Sequence, residues 1–197
     1  MKRKLISTQM LVRVALLAAI AFILFKFFEI PAVAFYKLDL SGVPVLLAGF
    51  AMGPLAGIMT LAIKDLLGLI GSSTGGIGEL ADFLMLGSMT LTSALIYQKH
   101  RTKRTTLIGM ALGTVLMIIA GMLLNYFVLI PLYENFMPLE AIIGMASAAV
   151  PFLGIDSVLK LVLLVTGPFN LIKGVILSAV TYFLYRYLAP FLKKGRL

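Results

Sequence analysis

Residues 43–70 read VPVLLAGFAMGPLAGIMTLAIKDLLGLI, from Val43 to Ile70, and the number of times this stretch crosses a bilayer decides the fold. A hydrocarbon core about 30 Å thick takes roughly 20 apolar residues of helix. These 28 residues are long for one span and short for two. They are interrupted by Gly53-Pro54-Leu55-Ala56-Gly57. Proline removes a backbone donor and disfavours the helical conformation in the residue before it, so a break is expected there.

Working outward, apolar spans are expected at Met10–Phe28, Gly78–Tyr97, Thr106–Pro131 and Val162–Tyr185. The first resembles a signal peptide. However, Lys26 and Glu29 follow it, no convincing cleavage site does, and further spans come after, so it reads as an uncleaved span. Twelve of the 17 basic residues fall in three clusters: Lys2, Arg3, Lys4 and Arg13; Lys99, Arg101, Lys103 and Arg104; Arg186, Lys193, Lys194 and Arg196. All eight acids lie elsewhere. If residues 43–70 cross twice, all three clusters face the cytoplasm; if they cross once, the middle cluster is exported, against the positive-inside rule.

The expectation is therefore an all-α, single-domain bundle of six transmembrane helices with both termini cytoplasmic. The second and third helices, about 10 and 16 residues, are too short to cross unaided, and such helices are tolerated where protein or a cavity surrounds them. External segments are expected near residues 29–42, 71–78 and 132–161. The last is expected to be re-entrant, interfacial or a lid.

Composition supports a membrane reading. The chain is 61% hydrophobic and 13% charged, with a mean hydropathy of +1.07, whereas soluble domains are about 45–50% apolar and roughly 25% charged. The net charge of +9 sits beside apolar spans, where it fixes topology and meets lipid headgroups rather than nucleic acid. Cysteine is absent, and the single His100 lies among basic residues, so neither a metal site nor a cofactor is expected.

Polar residues inside spans are functional candidates. Asn125 follows an apolar run, and Asn170 and Lys173, three apart after the Gly167-Pro168 break, share a helix face. Together their donors and acceptors suit a flat heteroaromatic ligand with carbonyls and ring nitrogens, stacked on Tyr and Phe side chains. The competing role for Lys173 is pairing with Asp156 or Glu79, or snorkelling. Lys64 and Asp65 in the third span and Asp82 in the fourth are expected to form a structural Lys–Asp pair. The loop Gly71-Ser72-Ser73-Thr74-Gly75-Gly76-Ile77-Gly78-Glu79 lacks the Gly-Lys-Ser/Thr ending of a phosphate-binding loop, so this chain is not its own ATPase. Glu79 either starts the fourth helix or touches ligand. No catalytic set of Ser/His/Asp or Cys/His exists, and no enzyme is expected.

Several stretches taken together resemble the riboflavin-binding S components of energy-coupling factor (ECF) vitamin transporters. They are the alanine-rich first helix, Lys37–Pro44, Gly49–Gly57, Lys64-Asp65-Leu66, Gly71–Phe83, Asn125–Tyr133 and Asn170–Gly174. The resemblance implies a multi-pass subunit of the bacterial cell membrane that binds riboflavin from outside. Its implied partners are a transmembrane coupling protein and two cytoplasmic ATP-binding subunits. By resemblance, Asn125, Asn170 and Lys173 contact the flavin ring. The first external loop, Tyr36, Lys37, Asp39, Leu40 and Ser41, adds contacts, and Glu79 is a further candidate. The small residues Ala15, Ala18 and Ala19 are implied as the docking face for the coupling protein. The chain departs from the family pattern at Gly42 and Asp82, where an acid and an asparagine are common. The same architecture serving pantothenate or thiamine is an alternative, although Lys173 is expected to repel cationic thiamine. A stand-alone carrier with Asp65 or Asp82 as proton acceptor is an alternative of a different class.

Overall fold

The structure, a computed structural model, describes residues 7–33 and 36–194, with side chains to residue 187. Lys2, Arg3, Lys4 and Arg196 of the basic clusters lie outside the described residues, as do the side chains of Lys193 and Lys194.

Helix α1 (Thr8–Phe27) begins at Ser7, whose hydroxyl caps it by accepting from the Met10 N–H at 3.2 Å. A two-stranded antiparallel hairpin follows, β1 (Ile30–Val33) and β2 (Tyr36–Leu38), pairing Ile30 with Leu38 and Val33 with Tyr36. An all-α expectation did not include it. The hairpin lies in the expected external segment, where the chain is short of apolar residues in a helical pattern.

The deciding stretch breaks where proline requires it. Helix α2 (Gly42–Met52) ends at Gly53, whose φ of +109° lies in the region that favours glycine, and α3 (Pro54–Gly68) starts with proline at its first position. Their lengths, 11 and 15 residues, match the two short helices expected. Helix α4 (Ile77–His100) is followed by Arg101 in the left-handed conformation, and Thr102 and Thr105 form a reciprocal cap for α5 (Lys103–Leu124).

Beyond α5 the chain continues through a π-helical turn, Asn125–Leu129, into the short α6 (Ile130–Tyr133). Helix α7 (Leu139–Ala149) precedes the one-turn α8 (Val158–Leu161), a second π-helical turn (Val162–Thr166) and the long α9 (Gly167–Lys194). The expected break at Gly167-Pro168 is thus a π-turn that leaves the helix continuous. Among the described residues, four helical stretches are long and apolar enough to cross a membrane: Thr8–Phe27, Ile77–His100, Lys103–Tyr133 and Val158–Tyr187.

Two apolar clusters fill the bundle. One, with Leu46, Phe50, Leu61, Met89, Met117 and Leu177, lies between α2, α3, α4, α5 and α9. It is closed at the Gly53 end by Tyr97 and Tyr185, whose hydroxyls meet and whose rings pack edge-on to each other and to Phe50. The other, with Leu129, Ile142, Leu161 and Val165, joins α7 to the two π-turns. The 132–161 segment is therefore packed on the bundle through Ile142 and Ala146.

Small residues let the helices approach closely, as is usual in lipid. A Cβ on Gly113 of α5 would stand 2.8 Å from the Met89 carbonyl of α4, and one on Gly57 of α3 would stand 3.1 Å from the Cα of Gly49 on α2. Neither backbone can yield without separating helices. We expect Gly113→Leu to destabilise the protein by about 1–3 kcal/mol through overpacking, read as a lower thermal midpoint in detergent. An unchanged midpoint would mean that α4 and α5 are not held this closely.

Candidate functional site

At the end opposite Gly53, the hairpin, the 71–79 loop, α1, α4, α9 and the π-turn after α5 surround a cavity of about 200 Å³. Each wall is built by a local feature of the chain. The two π-turns lie side by side and are tied by one hydroxyl: Tyr36 donates to Asn125 Oδ1 at 3.0 Å and lies 2.6 Å from Thr166 Oγ1. Asn125 opens the first π-turn and Thr166 closes the second. Such turns insert one extra residue into a helix and recur at functional sites. Burial pushes the Tyr36 hydroxyl well above its ordinary value, so it stays protonated and serves both partners. Its ring packs on that of Phe169, centroids 5.0 Å apart and 31° between planes.

Beside these rings the lining is ionic. Lys173 on α9 donates to Asp39 Oδ2 at 3.1 Å and to Asp82 Oδ1 at 2.9 Å. Asp82 on α4 also accepts from Lys64 on α3, whose ammonium lies 2.7 Å from Asp65 Oδ1 in an ionic contact without a directed hydrogen bond. Lys64 is wholly buried and stands 4.4 Å from the centroid of the Phe25 ring. Asp39 turns its other oxygen to the Ser41 N–H at 2.8 Å, which fixes the chain between hairpin and α2.

The loop 71–79 closes the third side. Ser72 donates to Glu79 Oε2 at 2.8 Å and accepts from the N–H groups of Thr74 and Gly76, while Gly75 and Gly76 take positive φ. Lys26 reaches across to the carbonyls of Ile70 and Gly71 just beyond α3. At the rim, Lys37 pairs with Glu29 at 2.7 Å and lies 3.3 Å from Ser73. A second cavity, toward Phe136, Met137 and Met145, shares Lys37, Ser73, Thr74 and Tyr133 with the first.

Of the residues singled out from sequence, Tyr36, Lys37, Asp39, Glu79, Asn125 and Lys173 line the cavity. Asn170, Leu40 and Ser41 do not. Asn170 shares the Lys173 face but is buried against Gly121 of α5, with its amide on the Thr166 carbonyl, while Phe169 takes the wall position. Leu40 is turned outward, and Ser41 is buried at the start of α2. Tyr126 and Phe127 also face outward, so the aromatic lining comes from Phe25, Tyr36, Tyr133 and Phe169. Lys173 pairs with neither Asp156, which Lys160 holds at 2.5 Å, nor Glu79. The lone Lys64–Asp pair expected within the bundle is one part of a larger cluster. With two carboxylates on Lys173, the argument that its charge repels a cation fails. In the alanine stripe, Ala15 and Ala19 are exposed but Ala18 is fully buried, because it falls on the face that packs into the bundle with Val14 and Ala21.

Thr166, Phe169 and Phe25 escaped sequence reading. Threonine and phenylalanine are common in membrane helices, and nothing in their spacing marks a π-turn.

Comparison with known proteins places this geometry among transporters. Residues 9–185 match the family described as "ECF transporter, substrate-specific component". A riboflavin transporter RibU of Staphylococcus aureus (strain TCH60) is 41% identical over 188 residues, 93% of this chain and 92% of the relative. A riboflavin transporter FmnP of Bacillus subtilis (strain 168) is 34% identical over 94% of this chain and 95% of its own length. A solved structure of the S component of a bacterial ECF transporter superposes with a TM-score of 0.73 at 36% identity, covering 94% of this chain and 98% of that one.

The Tyr36 bridge carries a prediction. Tyr36→Phe keeps the ring on Phe169 but leaves buried polar atoms of Asn125 and Thr166 short of a partner, at a cost of about 1–3 kcal/mol. The thermal midpoint of the ligand-free protein should fall accordingly. An unaltered midpoint would show that the two π-turns do not depend on this hydroxyl.

Proposed function

The chain belongs to the substrate-specific components of ECF transporters, and we propose that it captures riboflavin from the outer face of a bacterial membrane for an ATP-driven partner. The observation that carries this reading is the cavity's lining. The Tyr36 and Phe169 rings and the Asn125 amide offer stacking and hydrogen bonds. One turn from Phe169 on α9, Lys173 offers an ammonium donor. A flavin presents an extended ring for the first and carbonyl and ring-nitrogen acceptors for the second. The riboflavin transporters named above, similar over nearly their whole lengths, support the same ligand.

The proposed topology has six crossings, with α2 and α3 as the two short ones and both termini cytoplasmic. Supporting it, Lys99, Arg101, Lys103 and Arg104 lie at the Gly53 end of the bundle, opposite the cavity, as the positive-inside rule requires if the cavity opens outward. No phosphate-binding motif for ATP occurs in this sequence, so the energy for reorientation is assigned to two ATP-binding subunits acting through a coupling protein. The exposed Ala15 and Ala19 are the proposed docking face for that protein.

Protein purified from membranes should carry flavin absorbance or quench riboflavin fluorescence on titration. Asn125→Ala and Lys173→Ala should each weaken binding by roughly tenfold or more, the loss of about 1.5–3 kcal/mol for a buried, charge-assisted or amide hydrogen bond. A colourless protein that leaves riboflavin fluorescence unchanged removes the reading. Uptake into liposomes by this chain alone, driven by a proton gradient, would replace it with a stand-alone carrier.

The absence of native cysteine makes the topology directly testable. Ser73→Cys should react with an impermeant maleimide in intact cells, and Lys103→Cys only after permeabilisation. The reverse pattern would overturn the six-span arrangement.

A further inference from the structure

The charges around the cavity do not balance, and their sign is opposite to that of the whole chain. Of the residues lining it, the cations are Lys26, Lys37 and Lys173, against Glu29, Asp39, Glu79 and Asp82. Lys37 and Glu29 neutralise each other at the rim, and Lys26, on the neutral Ile70 and Gly71 carbonyls, keeps a charge that offsets that of Glu79. Glu79 is held by Ser72 and Thr74, hydroxyls that carry no charge. Behind the wall, Lys64 and Asp65 add one charge of each sign. The buried cluster itself sets two ammonium groups, Lys64 and Lys173, against three carboxylates, Asp39, Asp65 and Asp82. Counted formally, the groups around the site include one more acid than base, in a chain of net charge +9.

An ammonium has three N–H donors. Asp39 takes one from Lys173 and Asp82 takes a second, which leaves one for an occupant of the cavity. We propose that Asp39 and Asp82 are specificity-determining residues. By occupying two donors of Lys173 and compensating the charges of Lys173 and Lys64, they select an uncharged hydrogen-bond acceptor over an anionic one. The sign follows from Coulomb's law at short range, which a poorly hydrated site strengthens. An isolated lysine at the same place would do the opposite and attract anions. This inference rests on the reading of the cavity as a flavin site and names what that site discriminates.

The test uses the ligand as its own probe. A flavin loses its ring N–H proton in alkaline solution, and the anion has a distinct visible spectrum. The midpoint of that transition for bound riboflavin reads the potential inside the cavity, which a purely structural role for the two acids would not move. Asp82→Asn and Asp39→Asn each remove one negative charge and keep the shape. Each also leaves two ammonium groups facing two carboxylates, so both variants should fold. In either variant the midpoint of the bound flavin should fall by about one pH unit or more, a tenfold or greater stabilisation of the anion. Asp156→Asn, which alters an exposed acid held by Lys160 away from the cavity, should leave it unchanged.

A midpoint that stays put or rises in both cavity variants overturns the inference while leaving flavin binding intact. Failure of both variants to fold would refute the charge count on which it rests. A wild-type protein that binds no flavin would overturn the functional reading itself, and this inference with it.

Discussion

Lys64 is the largest side chain hidden completely from solvent in the described structure, and a charge so placed needs an opposite one beside it. Asp82 supplies that charge and shares itself with Lys173, which in turn holds Asp39. One carboxylate on α4 thereby fixes the relative positions of α3, α9 and the hairpin. Removing either lysine from such a cluster leaves buried carboxylates uncompensated, so the arrangement is specified more sharply than apolar packing alone would specify it. The cavity is lined by members of this ionic cluster together with aromatic rings.

The remaining architecture serves that juxtaposition. The π-turns at Asn125–Leu129 and Val162–Thr166 bring an amide and a hydroxyl inward at the level of the hairpin, and Tyr36 joins them. The short helices α2 and α3 place Lys64 and Asp65 at the correct depth, because the Gly53-Pro54 turn sets where α3 begins. Below the cavity, glycines at 57 and 113 draw the helices together, and the Phe50, Tyr97 and Tyr185 cluster closes the far end. The bundle is thus open to a ligand at one end and packed at the other.

In the proposed function, ionic and aromatic groups divide the work of recognition. Aromatic stacking accommodates many flat rings and gives area. Hydrogen bonds from Asn125 and from a lysine whose other donors are occupied would discriminate among them, because an unsatisfied buried donor is costly. Asp82, which departs from the pattern the resemblance led one to expect, is at the centre of the ionic cluster. Its carboxylate accepts from a second buried lysine, Lys64, as well as from Lys173.

The amino-acid sequence by itself determined the membrane character, the break at Gly53-Pro54 with its two short helices, and six residues that line the cavity among the nine it marked as ligand contacts. Each of these follows from local chemistry: apolar run length, the missing proline donor, and the cost of polar groups in hydrocarbon. Only the tertiary structure decided which partners those polar groups found. Asn170 and Lys173 share a helix face by periodicity, yet Asn170 packs on Gly121 while Lys173 turns to Asp39 and Asp82. Ala18 was similarly indistinguishable from Ala15 and Ala19 until helix packing turned it inward. Spacing along one helix fixes direction within that helix. It carries no information about which charge, 91 or 134 residues away, the neighbouring helix or loop will bring within hydrogen-bond reach.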